Sequence, residues 1–445
     1  MKPPKILIRI GVVLLVLVTV VLAVRGVLQI TEGRKLSRAL ADLKAGGVPL
    51  TVRELIPPCP ESDNGATLWR AAEEMYSFEG RNTKLFNEVY RKLHSGPPIT
   101  AAEWAAISEI VEKNRKVLDL IPEIVGRPCF QYGATDVRSW DRRMPDAIKT
   151  IRTVRLWGFE SLQVAEKGDL QRALSRLRTG LQFAPKTAEE STLIAYLVAL
   201  ANARTCLLFL NKTLSGREAG EDLLLSLLGD LDDGQIGRWK SLLGRAIRGE
   251  RIMFLDIGLP ATPKGLQEVF GGRAWWDRLY YWLIGPLVKR DVRLNLPSFA
   301  ELEALAPSPY FKTRNFWEIH EGRVKRLPWY GIVSKLAVQN MEATFLKVAI
   351  FDALILTSRA GLACRIHKVR TGQYPESLEA LVPALLTEVP VDPFTGRPLV
   401  YRRAGEGFIV YSFGSNLKDD GGRSTWETTQ LVMDKDDDWT WKEDK

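Results

Sequence analysis

Long apolar-periodic runs separated by short Gly/Pro breaks fill the chain to about Gly258, and strand-like stretches appear only near its end. The first run is the most apolar. Residues 10–24 carry no polar side chain but Thr19, Arg25 closes them, and residues 26–30 continue the pattern. Lys2, Lys5 and Arg9 precede it. The pure stretch is about as long as a signal-peptide core and shorter than the roughly 20 residues of a spanning helix. Counted over 6–30, with Arg9 and Arg25 snorkelling at its ends, it is long enough to span. Leu22-Ala23-Val24-Arg25 is a poor cleavage pattern, so an uncleaved single-pass anchor is expected. Its helix is expected to run through Leu36 and Leu43 until Gly46-Gly47 ends it.

An α-helical body follows. Asn64 suits the cap of a helix reaching about Phe78, and Thr100-Ala101-Ala102-Glu103 is a capping box opening a helix to about Ile124. Trp157, Gly168, Ala173, Gly180 and Pro185 have a spacing similar to the tetratricopeptide pattern. No second copy follows, so the segment suits either one helical hairpin in a bundle or a divergent repeat array. Arg248-Gly249-Glu250-Arg251 suits either an internal ion pair or a charged surface face, structural rather than chemical. Residues 273–290 concentrate Trp275, Trp276, Tyr280, Tyr281 and Trp282 between Arg273, Arg278, Lys289 and Arg290. That composition suits a lid packed on the body, a membrane-surface contact, or a groove for a ligand or partner. Residues 334–371 lack proline and repeat apolar positions at helical spacing. His367, Lys368 and Arg370 suit the negative end of that helix, and Gly372 its left-handed cap.

After it come Gly372-x-Tyr374-Pro375-x-Ser377-Leu378-x-x-Leu381, then Val389-Pro390-x-Asp392-Pro393-Phe394-x-Gly396-x-Pro398-Leu399-x-Tyr401, then Tyr411-Ser412-x-Gly414-x-Asn416. Residues 398–403 and 407–413 read as two strands joined by Ala404-Gly405-Glu406. This ordered series, over 363–422, resembles the C-terminal half of the major pseudopilin of type II secretion systems. It also resembles the ending of a broad set of bacterial membrane-anchored envelope proteins with a helical body in front. The pseudopilin's N-terminal cleavage signal is absent. The resemblance implies antiparallel strands packed on the long helix, with Leu399, Tyr401, Ile409 and Tyr411 as candidates for the buried face. It also implies calcium held by the loop 412–422, through Asn416, Asp419 and Asp420. Asn416 stands where the family usually has aspartate. Asp434, Asp436 and Asp438 alternate like an EF-hand loop, but Trp439 occupies its glycine position. That run suits either a solvated acidic tail or carboxylates, Asp436 among them, that complete the calcium set.

With 445 residues, 46% apolar and 26% charged, the rest is ordinary globular material. The net charge of +9 is spread along the chain, which argues against a nucleic-acid partner. Basic residues on the two sides of the anchor nearly balance (Arg25, Arg34, Lys35 and Arg38 lie after it), so the exported orientation of the body follows from the pseudopilin-like ending. Cys59 and Cys129 fall in expected loops and are positioned to pair in an oxidising compartment, while Cys206 and Cys364 read as core residues. There is no G-x-S-x-G, no phosphate loop and no metal-type Cys or His spacing, and His320-Glu321 lacks the second histidine of a zinc-protease motif. The expectation is therefore a mainly α protein. It comprises an anchor over 1–46, a body with a tetratricopeptide-like hairpin over 47–333, and a pseudopilin-like α+β module with an antiparallel sheet over 334–445. The expected function is non-enzymatic: binding or scaffolding envelope proteins, beside a secretion or pilus-like system, with lipid held by the anchor and no cofactor unless calcium. The alternative is an envelope-acting enzyme with its site between body and C-terminal module.

Overall fold

The computed structural model describes residues 5–78, 80–95, 98–259, 264, 266–267, 271, 274–338, 341–422 and 439–443. Arg273 and Asp436 lie outside them. The chain is mainly helical with one small antiparallel sheet. The long apolar helix α1 (Lys5–Ala45) and the turn α2 (Val52–Leu55) lead into α3 (Gly65–Met75), α4 (Gly80–Ser95), α5 (Ala101–Lys113), α6 (Arg115–Asp119) and α7 (Ile121–Gly126). At the centre of the body stand α8 (Ala147–Glu166), α9 (Leu170–Ala188) and α10 (Leu193–Leu214). Then come α11 (Glu221–Gly229), α12 (Asp233–Gly258), α13 (Trp275–Leu305), α14 (Tyr310–Lys325), α15 (Ile332–Val338) and α16 (Met341–Thr371). Strands β1 (Val400–Ala404), β2 (Gly407–Ser412) and β3 (Trp439–Glu443) form the sheet in that order.

Local signals set many of these boundaries. Asn64 Oδ1 accepts the Ala66 N–H at 3.0 Å and so caps α3. Thr100 and Glu103 form the expected capping box. The helix it opens stops at Lys113 instead of reaching Ile124. Asn114 is spent on another element: it accepts from Ser77 N at 2.9 Å and donates to Ser77 O at 2.8 Å. Gly47 and Gly372, at φ +72° and +82°, take the left-handed positions after α1 and α16. The expected helix over 334–371 is described as α15 and α16.

Close approach builds the centre. A Cβ on Gly158 of α8 would stand 2.1 Å from the Phe209 ring of α10, and one on Gly180 of α9 would stand 2.9 Å from Cys206 Sγ. Hydrogen at these two positions lets three helices pack with aromatic and sulfur side chains between them. Pro185 sits inside α9, which continues to Ala188, so this proline does not close the hairpin. The apolar helix α10 has the length of a span, but its most apolar window is 67% buried in the body. It is a core helix.

One apolar cluster runs from α3 through α16 to the sheet. The sheet covers α16 with Phe408, Val410 and Trp441; a Cβ on Gly361 would meet the Trp441 ring at 2.6 Å. Tyr401 pairs with Val410 and shares this face. Ile409 and Tyr411, expected against the helix, lie one residue out of phase on the opposite face. Gly422 covers them there, since its Cβ would stand 2.4 Å from Ile409 Cδ1 and 3.0 Å from Tyr411 Cδ1. With both faces of β2 covered, its buried pattern does not alternate. Strand β3 was not expected. Its sequence, Trp439-Thr440-Trp441-Lys442, does alternate with period two.

Candidate functional site

Three places gather the side chains from which function could be argued. The first is the junction of α1 and α13. From Arg9 onward α1 has mean hydropathy 2.7 over its most apolar window, none of it buried. Burial begins at Arg25 and recurs at helical spacing at Glu32 and Leu36. The Arg25 guanidinium lies 3.6 Å above the Trp282 ring while its Nε donates to the Trp282 carbonyl at 3.0 Å. One helical stretch further, Arg293 of α13 donates to Glu32 at 3.0 Å, and Lys35 stands 3.5 Å from the same carboxylate. Among the described residues a single helix thus has an unburied apolar half and a polar half clamped to the body.

The second is the C-terminal loop. Asp392, 1% exposed, is its hub. Oδ1 accepts from Phe394 N and Ser412 Oγ, both at 2.9 Å, and Oδ2 accepts from Thr395 Oγ1 at 3.0 Å and Phe413 N at 3.2 Å. The Asp-Pro-Phe turn is thereby fastened to the end of β2. Phe311 N of α14 donates to Pro393 O at 2.9 Å, which docks the turn on the body. The expected calcium residues lie beyond. Asn416 Nδ2 donates to Asp420 Oδ2 at 2.7 Å, and Asn416 Oδ1 accepts from Lys418 N at 2.9 Å. Asp419 Oδ1 accepts from Tyr411 OH at 2.8 Å and from Gly421 N at 2.9 Å, and these donors hold its carboxyl below the usual range. The loop is closed by its own donors. Among the described residues no three His, Cys, Asp or Glu side chains converge as metal ligands, and Asp436 is outside them.

The third is a group of acids that sequence reasoning missed. Glu190 is fully buried, paired with Arg142 at 2.7 Å, and accepts the Tyr132 N–H. Burial pushes its carboxyl upward, against the lowering effect of Arg142 and of the Tyr132 and Gly133 N–H groups. Glu189 accepts Phe130 N at 2.8 Å, and Glu73 takes Trp69 Nε1 and Asp146 N, both at 2.8 Å. These carboxylates pin the irregular segment between α7 and α8 by its main chain, as buried acids must be satisfied. Only the adjacent acids at the end of α9 mark them in the sequence. The charged set on α12 serves likewise: Glu250 accepts Leu193 N at 3.0 Å, while Arg248 reaches Glu303 at 2.6 Å and Arg251 reaches Pro49 O at 3.2 Å. Among the described residues these three groups find their partners on other elements, neither within the helix nor in solvent.

Cys59 and Cys129 are joined as a disulfide with Cα atoms 6.5 Å apart. Around it Asn64 and Gln131 exchange hydrogen bonds of 2.7 and 2.9 Å. Cys206 and Cys364 are buried thiols. No protein-family model, curated protein or solved structure matches the chain.

Proposed function

We propose that the chain is a single-pass, membrane-anchored envelope protein that holds a helical body against the bilayer and scaffolds other envelope proteins. The observation that carries this reading is the division of α1: an apolar half with no contact to the body, and a second half locked to α13 through Arg25 and Glu32. A rigid junction of this kind fixes the height of the body above the membrane, which a scaffold needs and a flexible tether would not give. The hairpin of α8 and α9, with Trp157, Ala173 and Gly180 at its contact, is the tetratricopeptide-like element of this proposal. The module of α16 and the sheet is its pseudopilin-like element, and a secretion or pilus-like apparatus is the setting we propose. The carboxylates brought together in the body are taken up by main-chain N–H groups, which favours structure over catalysis there.

Alkaline extraction of membranes holding the full chain tests the anchor. The protein is expected to stay in the pellet, and Leu14→Arg with Val18→Arg to release it. Two arginines near the centre of a span cost about 5–7 kcal/mol of insertion. Release of the unmodified protein would remove the basis of the proposal.

A further inference from the structure

The first three turns of α13 carry an apolar face that the body does not cover. Trp275 is 70% exposed, Trp276 60%, Leu279 46%, Tyr280 44% and Leu283 37%. These positions recur at spacings of four along one side of the helix, while Tyr281, Ile284 and Val288 point into the core from the other. Large apolar side chains contiguous on one face mark a contact surface rather than scattered exposure.

Geometry identifies what covers it. Arg25 meets Trp282, and seven residues further along α1 Glu32 meets Arg293. The two helices therefore run side by side in the same sense. Trp275 lies two helical turns before Trp282, about 10 Å back toward the start of α1. That places the exposed face level with the last turns of the bare apolar half of α1, and not with its docked half. On the opposite side of the junction stand Arg34, Lys35, Arg38 and Arg290, the levels at which phosphate oxygens would meet basic side chains. Tryptophan and tyrosine at this height, with arginine beside them, match the headgroup boundary of a bilayer.

We infer that the Trp275–Leu283 face of α13 is a second membrane contact, inserted into the interfacial layer of the leaflet that α1 leaves at Arg25. Its partner is phospholipid: acyl-chain carbons against Leu279 and Leu283, glycerol and headgroup oxygens against the rings. The inference rests on α1 being an anchor. With two contacts instead of one, the body cannot swivel about α1, and its orientation on the membrane is set.

The test uses the full chain in phosphatidylcholine–phosphatidylglycerol vesicles, with Leu279→Cys labelled by an environment-sensitive fluorophore. Cys206 and Cys364 are buried and the other two cysteines are bonded, so the label goes to the introduced thiol. Val369→Cys, 50% exposed on the last turn of α16, is the control. Position 279 is expected to emit to the blue of position 369, and to be quenched roughly threefold more by nitroxide lipid than the control. Quenching by aqueous iodide at both positions overturns the inference while leaving the anchor intact. Shielding from lipid and iodide alike also overturns it, and assigns the face to protein, a second copy included. Failure of the unlabelled chain to float with the vesicles removes the anchor, and the inference with it. Should labelling disturb folding, Trp275→Phe with Trp276→Phe in vesicles of brominated lipid decides. The double variant is expected to lose tryptophan quenching that the unmodified chain shows, and equal quenching overturns the inference.

Discussion

At the scale of single residues, a few side chains bear more than their size suggests. Gly249 is one. A Cβ there would stand 1.6 Å from the Ser191 carbonyl oxygen, at a turn where Ser191 itself has φ +55°. Alanine would gain about 1 kcal/mol of helix propensity. The clash is with backbone, which cannot rotate away, and overpacking of this kind costs up to about 3 kcal/mol or more. Gly249→Ala is therefore expected to lower the unfolding midpoint in denaturant, and an unchanged or raised midpoint would contradict the packing of α12 on this turn. Asp352 of α16 is another. Burial pushes its carboxyl up to about 6, against the lowering effect of Lys240. In an unfolded chain it titrates near 3.9. Below about pH 4 both states hold the proton. Between 4 and 6 only the folded state keeps it, so stability falls as pH rises and levels off above 6, by roughly 3 kcal/mol. Other acids titrate too, so the readout is a difference. Asp352→Asn is expected to gain on the unmodified protein across that window and to stay ahead at pH 7. In the C-terminal loop, Asn416, Asp419 and Asp420 already bond within the loop. Chelation of calcium is expected to leave the melting temperature where it is. A rise of several degrees in millimolar calcium would show that residues outside 412–422 complete a set.

At the scale of elements, the Cys59–Cys129 bond closes a loop of sequence separation 70 around α3 to α7. A loop of that length confers about 4 kcal/mol by constraining the unfolded chain. Reduction, or Cys129→Ser, is expected to lower the melting temperature by several degrees. Alkylation under non-reducing conditions should leave both thiols unmodified in protein taken from an oxidising compartment. How far the elements were legible depends on where their partners lie. Caps are local, so Asn64, Thr100 with Glu103, and Gly372 marked their helix ends in the sequence. The long apolar N-terminal helix was legible because, among the described residues, no other element covers its apolar half. The helix from Thr100 was read too long, since Asn114 turns to Ser77, a partner 37 positions away. The phase of β2 was misread for a similar reason: both its faces are apolar, with Phe408 and Val410 on α16 and Ile409 and Tyr411 under Gly422, so alternation does not say which face meets the helix. Arg248, Glu250 and Arg251 left their partners open between the helix itself and solvent, because spacing on one helix says nothing of Leu193, Glu303 and Pro49. The acids that pin the segment before α8 have no spacing signature at all.

At the scale of the whole molecule, one apolar core joins the helical body to the C-terminal sheet, and α1 leaves it as a bare apolar rod. The proposal is that this rod and the exposed face of α13 together set the body at a fixed height and tilt on a bilayer. On that proposal the disulfide, the helical body and the C-terminal sheet share one side of the membrane. The compartment of the C-terminus tests this most directly. Two reporters fused after Lys445, one active only in the cytoplasm and one only outside it, give opposite signals for the two orientations. Activity of the external reporter, with the cytoplasmic one silent, is the predicted result. The reverse would contradict an exported scaffold and would place the body, as an adaptor, on the inner face.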